Sequence, residues 1–131
     1  MKVLLDTNAY SALMRGQTTV VDRIRRAEQI FLSAIVIGEI LSGFRNGNRF
    51  EKNYDLLGAF LENYFVKLVP VTFTTADRFS RIAAILRNKG KPIPTNDIWI
   101  AAHVLETGAD LLSYDKHFKE IEGLPWIQLS D

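Results

Sequence analysis

Ile30-Phe31-Leu32-Ser33-Ala34-Ile35-Val36-Ile37-Gly38-Glu39-Ile40-Leu41 carries one charge in twelve residues. Its first three residues have the composition of a buried strand. Ser33 is placed to cap a helix from Ala34 to about Phe44. A helix that is apolar nearly all round is expected to be buried. Glu39 is then a carboxylate in the wrong surroundings. An unpaired buried carboxylate costs several kcal/mol or shifts its pKa, so a buried arginine or a bound cation must compensate it.

The same alternation extends outward in both directions. Val3-Leu4-Leu5 predicts a first strand ending at Asp6. Asn8 can cap a short helix through Leu13, and Thr18 or Thr19 a second helix carrying Val20, Val21 and Ile24. Beyond the turn Arg45-Asn46-Gly47-Asn48-Arg49, apolar residues recur at helical spacing from Phe50 to Phe65. Val66 to Val71 predicts a third strand, bent by Pro70. A helix opening at Thr75 ends at Asn88-Lys89-Gly90, and Pro94-Thr95-Asn96 starts another that runs to Glu106 and stops at Gly108. Leu111-Leu112-Ser113 and Trp126-Ile127-Gln128-Leu129 predict the last two strands. Strands alternating with helices imply a three-layer α/β/α fold with a central, mostly parallel sheet of about five strands. Such a sheet binds its ligands beyond the carboxyl ends of its strands.

Of the fifteen Asp and Glu residues, Asp22, Glu28, Glu51, Asp55, Glu62 and Asp77 lie among basic residues on polar helix faces, the ordinary place for charge. Asp6, Glu39, Asp97 and Asp115 do not. Asp6 and Asp115 fall at or just past strand ends, and Asp97 lies in the first turn of the apolar helix Asp97-Ile98-Trp99-Ile100-Ala101-Ala102. Each has a plain structural explanation: Asp6 as a helix cap, Glu39 in a buried ion pair, Asp97 at a helix dipole, Asp115 in a turn. Together they occupy one rim, where acids repel unless a cation intervenes. A hard divalent ion with oxygen ligands relieves that repulsion. Thr7, Asn8, Thr95 and Asn96 flank these acids and can orient a carboxylate without adding charge.

Composition narrows the function. Hydrophobic residues at 47% and charged residues at 24% describe an ordinary globular chain of 131 residues, expected to form a single domain over 1–131. The absence of cysteine excludes disulfides, zinc–thiolate sites and cysteine nucleophiles. The N-terminus meets Asp6 too early for a signal peptide, and no apolar run approaches the ~20 residues of a membrane span. A cytoplasmic protein without membrane association is expected. The net charge of +1 is too small for bulk electrostatic binding of nucleic acid. Arg15, Arg45, Arg49, Lys89, Lys91, Lys116 and Lys119 are candidates for local contact, with Lys116 foremost because it adjoins Asp115.

Four segments, Leu4-Leu5-Asp6-Thr7-Asn8, Leu32 to Ile40, Asn96 to Ala102 and Leu112-Ser113-Tyr114-Asp115-Lys116-His117-Phe118, resemble in order and spacing the four motifs of the PIN-domain family. A compact chain of this kind is similar to the VapC-type toxins of toxin–antitoxin pairs. The resemblance implies endonucleolytic cleavage of RNA dependent on Mg²⁺ or Mn²⁺, inhibition by a cognate antitoxin protein, and a homodimer. It assigns catalytic and metal-binding roles to Asp6, Glu39, Asp97 and Asp115, with Thr7, Asn8 and Thr95 orienting ligands or substrate. Phe44, Phe50, Tyr54 and Tyr64 are then either core or a groove for an antitoxin helix.

Histidine is not expected to act. His103 lies six residues past Asp97 on another helix face, and His117 points away from Asp115 if that segment is extended. Two rival readings differ in class. A metal-dependent phosphatase of the haloacid-dehalogenase type needs a second Asp where Asn8 stands. A PIN-like interaction module without catalysis would have no need of all four acids.

Overall fold

The computed structural model describes residues 1–130. In chain order the elements are β1 (Lys2–Leu5), α1 (Thr7–Met14), α2 (Thr18–Arg25), β2 (Gln29–Ser33), α3 (Ala34–Arg45), α4 (Phe50–Glu62), β3 (Val66–Val69), α5 (Phe73–Lys89), α6 (Thr95–Thr107), β4 (Asp110–Ser113), a 3-10 helix (Lys116–Glu120) and β5 (Trp126–Gln128). The five strands form one sheet in the order β3-β2-β1-β4-β5, and every pairing is parallel.

The order explains where a site must form. From β1 the chain winds one way, through β2 to β3. It then crosses back through α5 and α6 to place β4 on the other side of β1. Right-handed crossovers put the helices of the two halves on opposite faces of the sheet. The direction of winding reverses between β1 and β4, and the crevice beyond their carboxyl ends is the ligand position of such sheets. Leu5 pairs with Leu112, so Asp6 and Ser113 emerge side by side.

Burial follows from this layering. Val3, Leu4 and Leu5 are wholly buried, as are Leu111 and Leu112 in the neighbouring strand, because helices cover both sheet faces. Each such leucine contributes about 2 kcal/mol of hydrophobic stabilisation. Ile100, Ala101, Ala102 and Val104 bring α6 into the same core, joined by Val36 and Ile40 of α3.

Several local expectations need correction. Asp6, not Asn8, caps α1: its Oδ1 accepts from the Ala9 amide at 2.9 Å. The cap position of α2 is Gln17 without a side-chain bond, rather than Thr18 or Thr19. α4 stops at Glu62, three residues short of Phe65, because Phe65 O accepts from the Ile30 amide as the chain enters β3. α5 begins before Thr75, inside a capping box in which Thr72 and Thr75 satisfy each other's backbone amides. Gly90 and Gly108 end α5 and α6 with φ of 67° and 72°, the left-handed conformation glycine adopts without cost.

Helix α3 is also less enclosed than its sequence suggests. Only Val36 and Ile40 are fully buried; Gly38, Ser42 and Gly43 face outward, and Glu39 is half-buried. Phe44 packs against the core. Phe50 and Tyr54 stack on each other at 5.4 Å, and Tyr64 is 92% exposed.

Candidate metal centre

Asp6 sits at the centre of the reversal between β1 and β4. It is 6% exposed. Capping α1 occupies Oδ1, and Oδ2 accepts from the Ser113 hydroxyl. Capping and participation in a site are therefore both features of this residue. Burial pushes its carboxyl up to about 6, opposed by those two hydrogen bonds and reinforced by the charges of Asp97 and Asp115.

Glu39 projects from the second turn of α3. Thr7 Oγ1 donates to its Oε1 at 2.6 Å, and Asn96 Nδ2 donates to its Oε2 at 3.1 Å. Its compensation is two neutral donors, not the buried arginine that was one alternative. Asn96 comes from the helix pair on the opposite sheet face, so this bond crosses the carboxyl edge of the sheet.

Asp97 occupies the first turn of α6, where the helix dipole favours negative charge. Burial nevertheless raises its carboxyl above the ordinary value. A hydrogen bond from His117 opposes the shift, and the charges of Asp115 and Glu39 add to it. Asp115 caps the 3-10 helix: its Oδ1 accepts from the His117 amide at 2.8 Å, and its own amide donates to Ser113 Oγ at 2.9 Å.

The structure thus brings all four predicted acids to one rim. Two neighbours absent from the predicted site join them. Ser113, wholly buried, donates to Asp6 and accepts from the Asp115 amide, coupling two acids through one hydroxyl. His117 was expected to point away. The 3-10 helix turns it back, so that Nδ1 lies 2.9 Å from Asp115 Oδ1 and 3.2 Å from Asp97 Oδ2. Both partners accept, so Nδ1 carries the proton of the contact. Asp97, Asp115 and His117 offer ligand atoms within 4.8 Å of one another.

Of the polar residues flanking the acids, Thr7 contacts Glu39. Asn8, Thr95 and Lys116 are exposed, and their side chains make no hydrogen bond among the described residues. His103 is wholly buried and bonded to Ser33 Oγ at 2.8 Å and Pro70 O at 3.0 Å, away from the acids.

The rim thus carries four carboxylates, of which Asp6 and Asp97 are raised chiefly by burial and secondarily by neighbouring acids. Hard oxygen donors suit a divalent cation, and Asp97, Asp115 and His117 are close enough together to hold one.

Comparison with known proteins gives a consistent result. Ribonuclease VapC1 of Haemophilus influenzae strain R2866 is 26% identical over 131 residues, covering 96% of both chains. Ribonuclease VapC2 of Haemophilus influenzae strain ATCC 51907 is 30% identical over 117 residues, covering 86% of both. The structure of VapBC-1 from nontypeable Haemophilus influenzae superposes with a TM-score of 0.86 at 26% identity over 98% of both chains. The PIN domain profile matches residues 3–124, which include every one of the four acids and all of the sheet except Lys2 and strand β5, and this chain therefore belongs to the PIN domain family.

Proposed function

We propose that this protein is a Mg²⁺- or Mn²⁺-dependent endoribonuclease and the toxin of a type II toxin–antitoxin pair. The observation that carries the reading is the convergence of Asp6, Glu39, Asp97 and Asp115 on one crevice with Asp6 raised to about 6. The relatives named ribonucleases cover nearly the whole chain, and the VapBC-1 pair shares its fold. These similarities support an RNA substrate and a cognate antitoxin as partners.

Asp6, Glu39 and Asp97 would hold the cation, with Asp115 completing the site or holding a second ion. When bound, the cation supplies Lewis-acid polarisation and offsets charge on the scissile phosphate. The remaining contributions come from the chain. Thr7 and Asn96 fix both oxygens of Glu39. Ser113 sets the spacing of Asp6 and Asp115, and His117 that of Asp97 and Asp115. This preorganisation presents the acids without a rearrangement when substrate arrives. Hydrolysis by an attacking water releases a 5′-phosphate and a 3′-hydroxyl.

The test is incubation of the purified protein with total cellular RNA in Mg²⁺, Mn²⁺ or EDTA, followed by mapping of the fragment ends. Cleavage restricted to the metal-containing samples and lost in Asp6→Asn and Asp97→Asn is the expected result. Cleavage that survives EDTA or either substitution would overturn the assignment.

A further inference from the structure

Beside the carboxylates opens a groove of about 340 Å³, with Lys91 and Ile93 on one wall and Lys116, His117, Lys119 and Glu120 on the other. Its walls are continuations of the segments that carry two of the acids. Lys91 stands six residues before Asp97, and Lys116 directly follows Asp115. His117 belongs to both places, since it lines the groove while its Nδ1 touches Asp97 and Asp115.

Three lysines face one carboxylate here, and all three are exposed. Their amines have no hydrogen bond or ion pair among the described residues. Two other cations named from the sequence are already engaged. Lys89 Nζ donates to Glu120 O at 2.8 Å, and the Arg45 guanidinium lies 4.2 Å from the centre of the Phe50 ring.

We propose that this groove holds the phosphate backbone of single-stranded RNA on one side of the scissile bond, with Lys91, Lys116 and Lys119 as its phosphate contacts. The inference rests on the ribonuclease reading. An acidic crevice repels every phosphate except the one its cation neutralises, so the flanking strand needs positive charge close by. With a net charge of +1, the protein must concentrate that charge locally. A basic groove with an imidazole and an apolar side chain in its walls suits a backbone whose bases can stack, the pattern of single-strand binding.

The experiment measures binding of a fluorescein-labelled twelve-nucleotide polyuridylate by anisotropy in Mg²⁺ across a salt series. Asp6→Asn serves as the background, so that the strand stays intact, as checked on a gel. Strand loss in that background counts against the proposed function and leaves the groove to be read in Asp97→Asn. Lys91→Ala, Lys116→Ala and Lys119→Ala combined should weaken binding at least tenfold. They should also reduce the slope of log affinity against log salt by about 2, at ~0.7 per lost phosphate contact on a single strand. Single Lys91→Glu and Lys119→Glu variants, on exposed positions, give the same direction if the triple variant folds poorly. Arg23→Ala and Arg25→Ala on α2, with Arg26→Ala at its C-cap, form the control set and should leave both quantities unchanged. An unaltered slope in the lysine variants, or an equal loss in the α2 set, would overturn the proposal.

Discussion

The Thr7 hydroxyl donates to Glu39 Oε1 at 2.6 Å, joining the first turn of α1 to the middle of α3. Asn96 holds the other oxygen of the same carboxylate, so Glu39 is clamped from both sides of the sheet. Partners that orient a metal-binding carboxylate are worth about 10–100-fold in metal affinity or activity. Thr7→Val keeps the side-chain shape and removes the donor. It should reduce kcat/KM for RNA, and Mn²⁺ affinity measured by calorimetry, by about tenfold, with an unchanged circular dichroism spectrum. Thr7→Ser should restore both. Equal activity in Thr7→Val and wild type would show that Glu39 needs no such clamp.

Asp6 makes a prediction about stability. Its folded value of about 6 lies above its ordinary 3.8 because it is buried. Between those values the folded chain binds a proton that the unfolded chain has released, so stability falls as pH rises through this window. Above pH 6, in the absence of metal, the ionised group costs on the order of 3 kcal/mol. Asp6→Asn removes that cost. In EDTA at pH 7.5 the variant should melt several degrees above wild type. The gap should close toward pH 4, and Mg²⁺ should narrow it at pH 7.5 by stabilising wild type alone. Thermal melts across pH 4 to 8 read this directly, and a variant less stable than wild type at pH 7.5 in EDTA contradicts it.

His117 acts through its neighbours. Its hydrogen bond and charge hold the Asp97 carboxyl below the value that burial and Asp115 would otherwise impose. His117→Ala should move Asp97 further up and shift the acid limb of the kcat/KM–pH profile to higher pH. A profile that merely drops in height, with its acid limb in place, would assign His117 no role in setting the ionisation of Asp97.

His103 stabilises the fold by a different arrangement. The Pro70 carbonyl can only accept, so Nε2 carries the proton and Nδ1 accepts from Ser33. Burial lowers the pKa of this imidazole below its ordinary 6.5. Its contribution is therefore complete above pH 6.5 and is lost as pH falls toward the folded value, opposite in sign to Asp6. His103→Ala should destabilise by about 2–4 kcal/mol, from a cavity and two orphaned partners. His103→Gln should flatten the acid loss of stability seen in denaturant titrations. An unchanged acid dependence in His103→Gln would place that loss elsewhere.

The strands and the four acids were legible because their signals are local. Val3-Leu4-Leu5 followed by Asp6, and a lone Glu39 in an apolar helix, need no knowledge of the rest of the chain. The missed features depend on tertiary arrangement or on a choice between similar local conformations. Asp6 and Asn8 are both good caps, and the position of Ala9 relative to the end of β1 decides between them. His117 faces the acids only because Lys116–Glu120 coils into a 3-10 helix, where an extended chain would have turned it outward. Ser113 closes an apolar strand and shows its importance only once β4 lies against β1. The outward face of α3 was hidden because Ile35, Ile37 and Leu41 made the helix look fully enclosed, whereas Gly38, Ser42 and Gly43 define its open side.

The insertion of β4 beside β1 has a consequence for synthesis. The first strand and Asp115 lie on one rim of the folded sheet but are made more than a hundred residues apart in translation. A nascent or truncated polypeptide ending before residue 110 has Asp6, Glu39 and Asp97 but lacks the strand that flanks β1, together with Ser113 and Asp115. Such a fragment is expected to be inert toward the RNA around it, and activity would begin only once β4 has been made and has paired with β1.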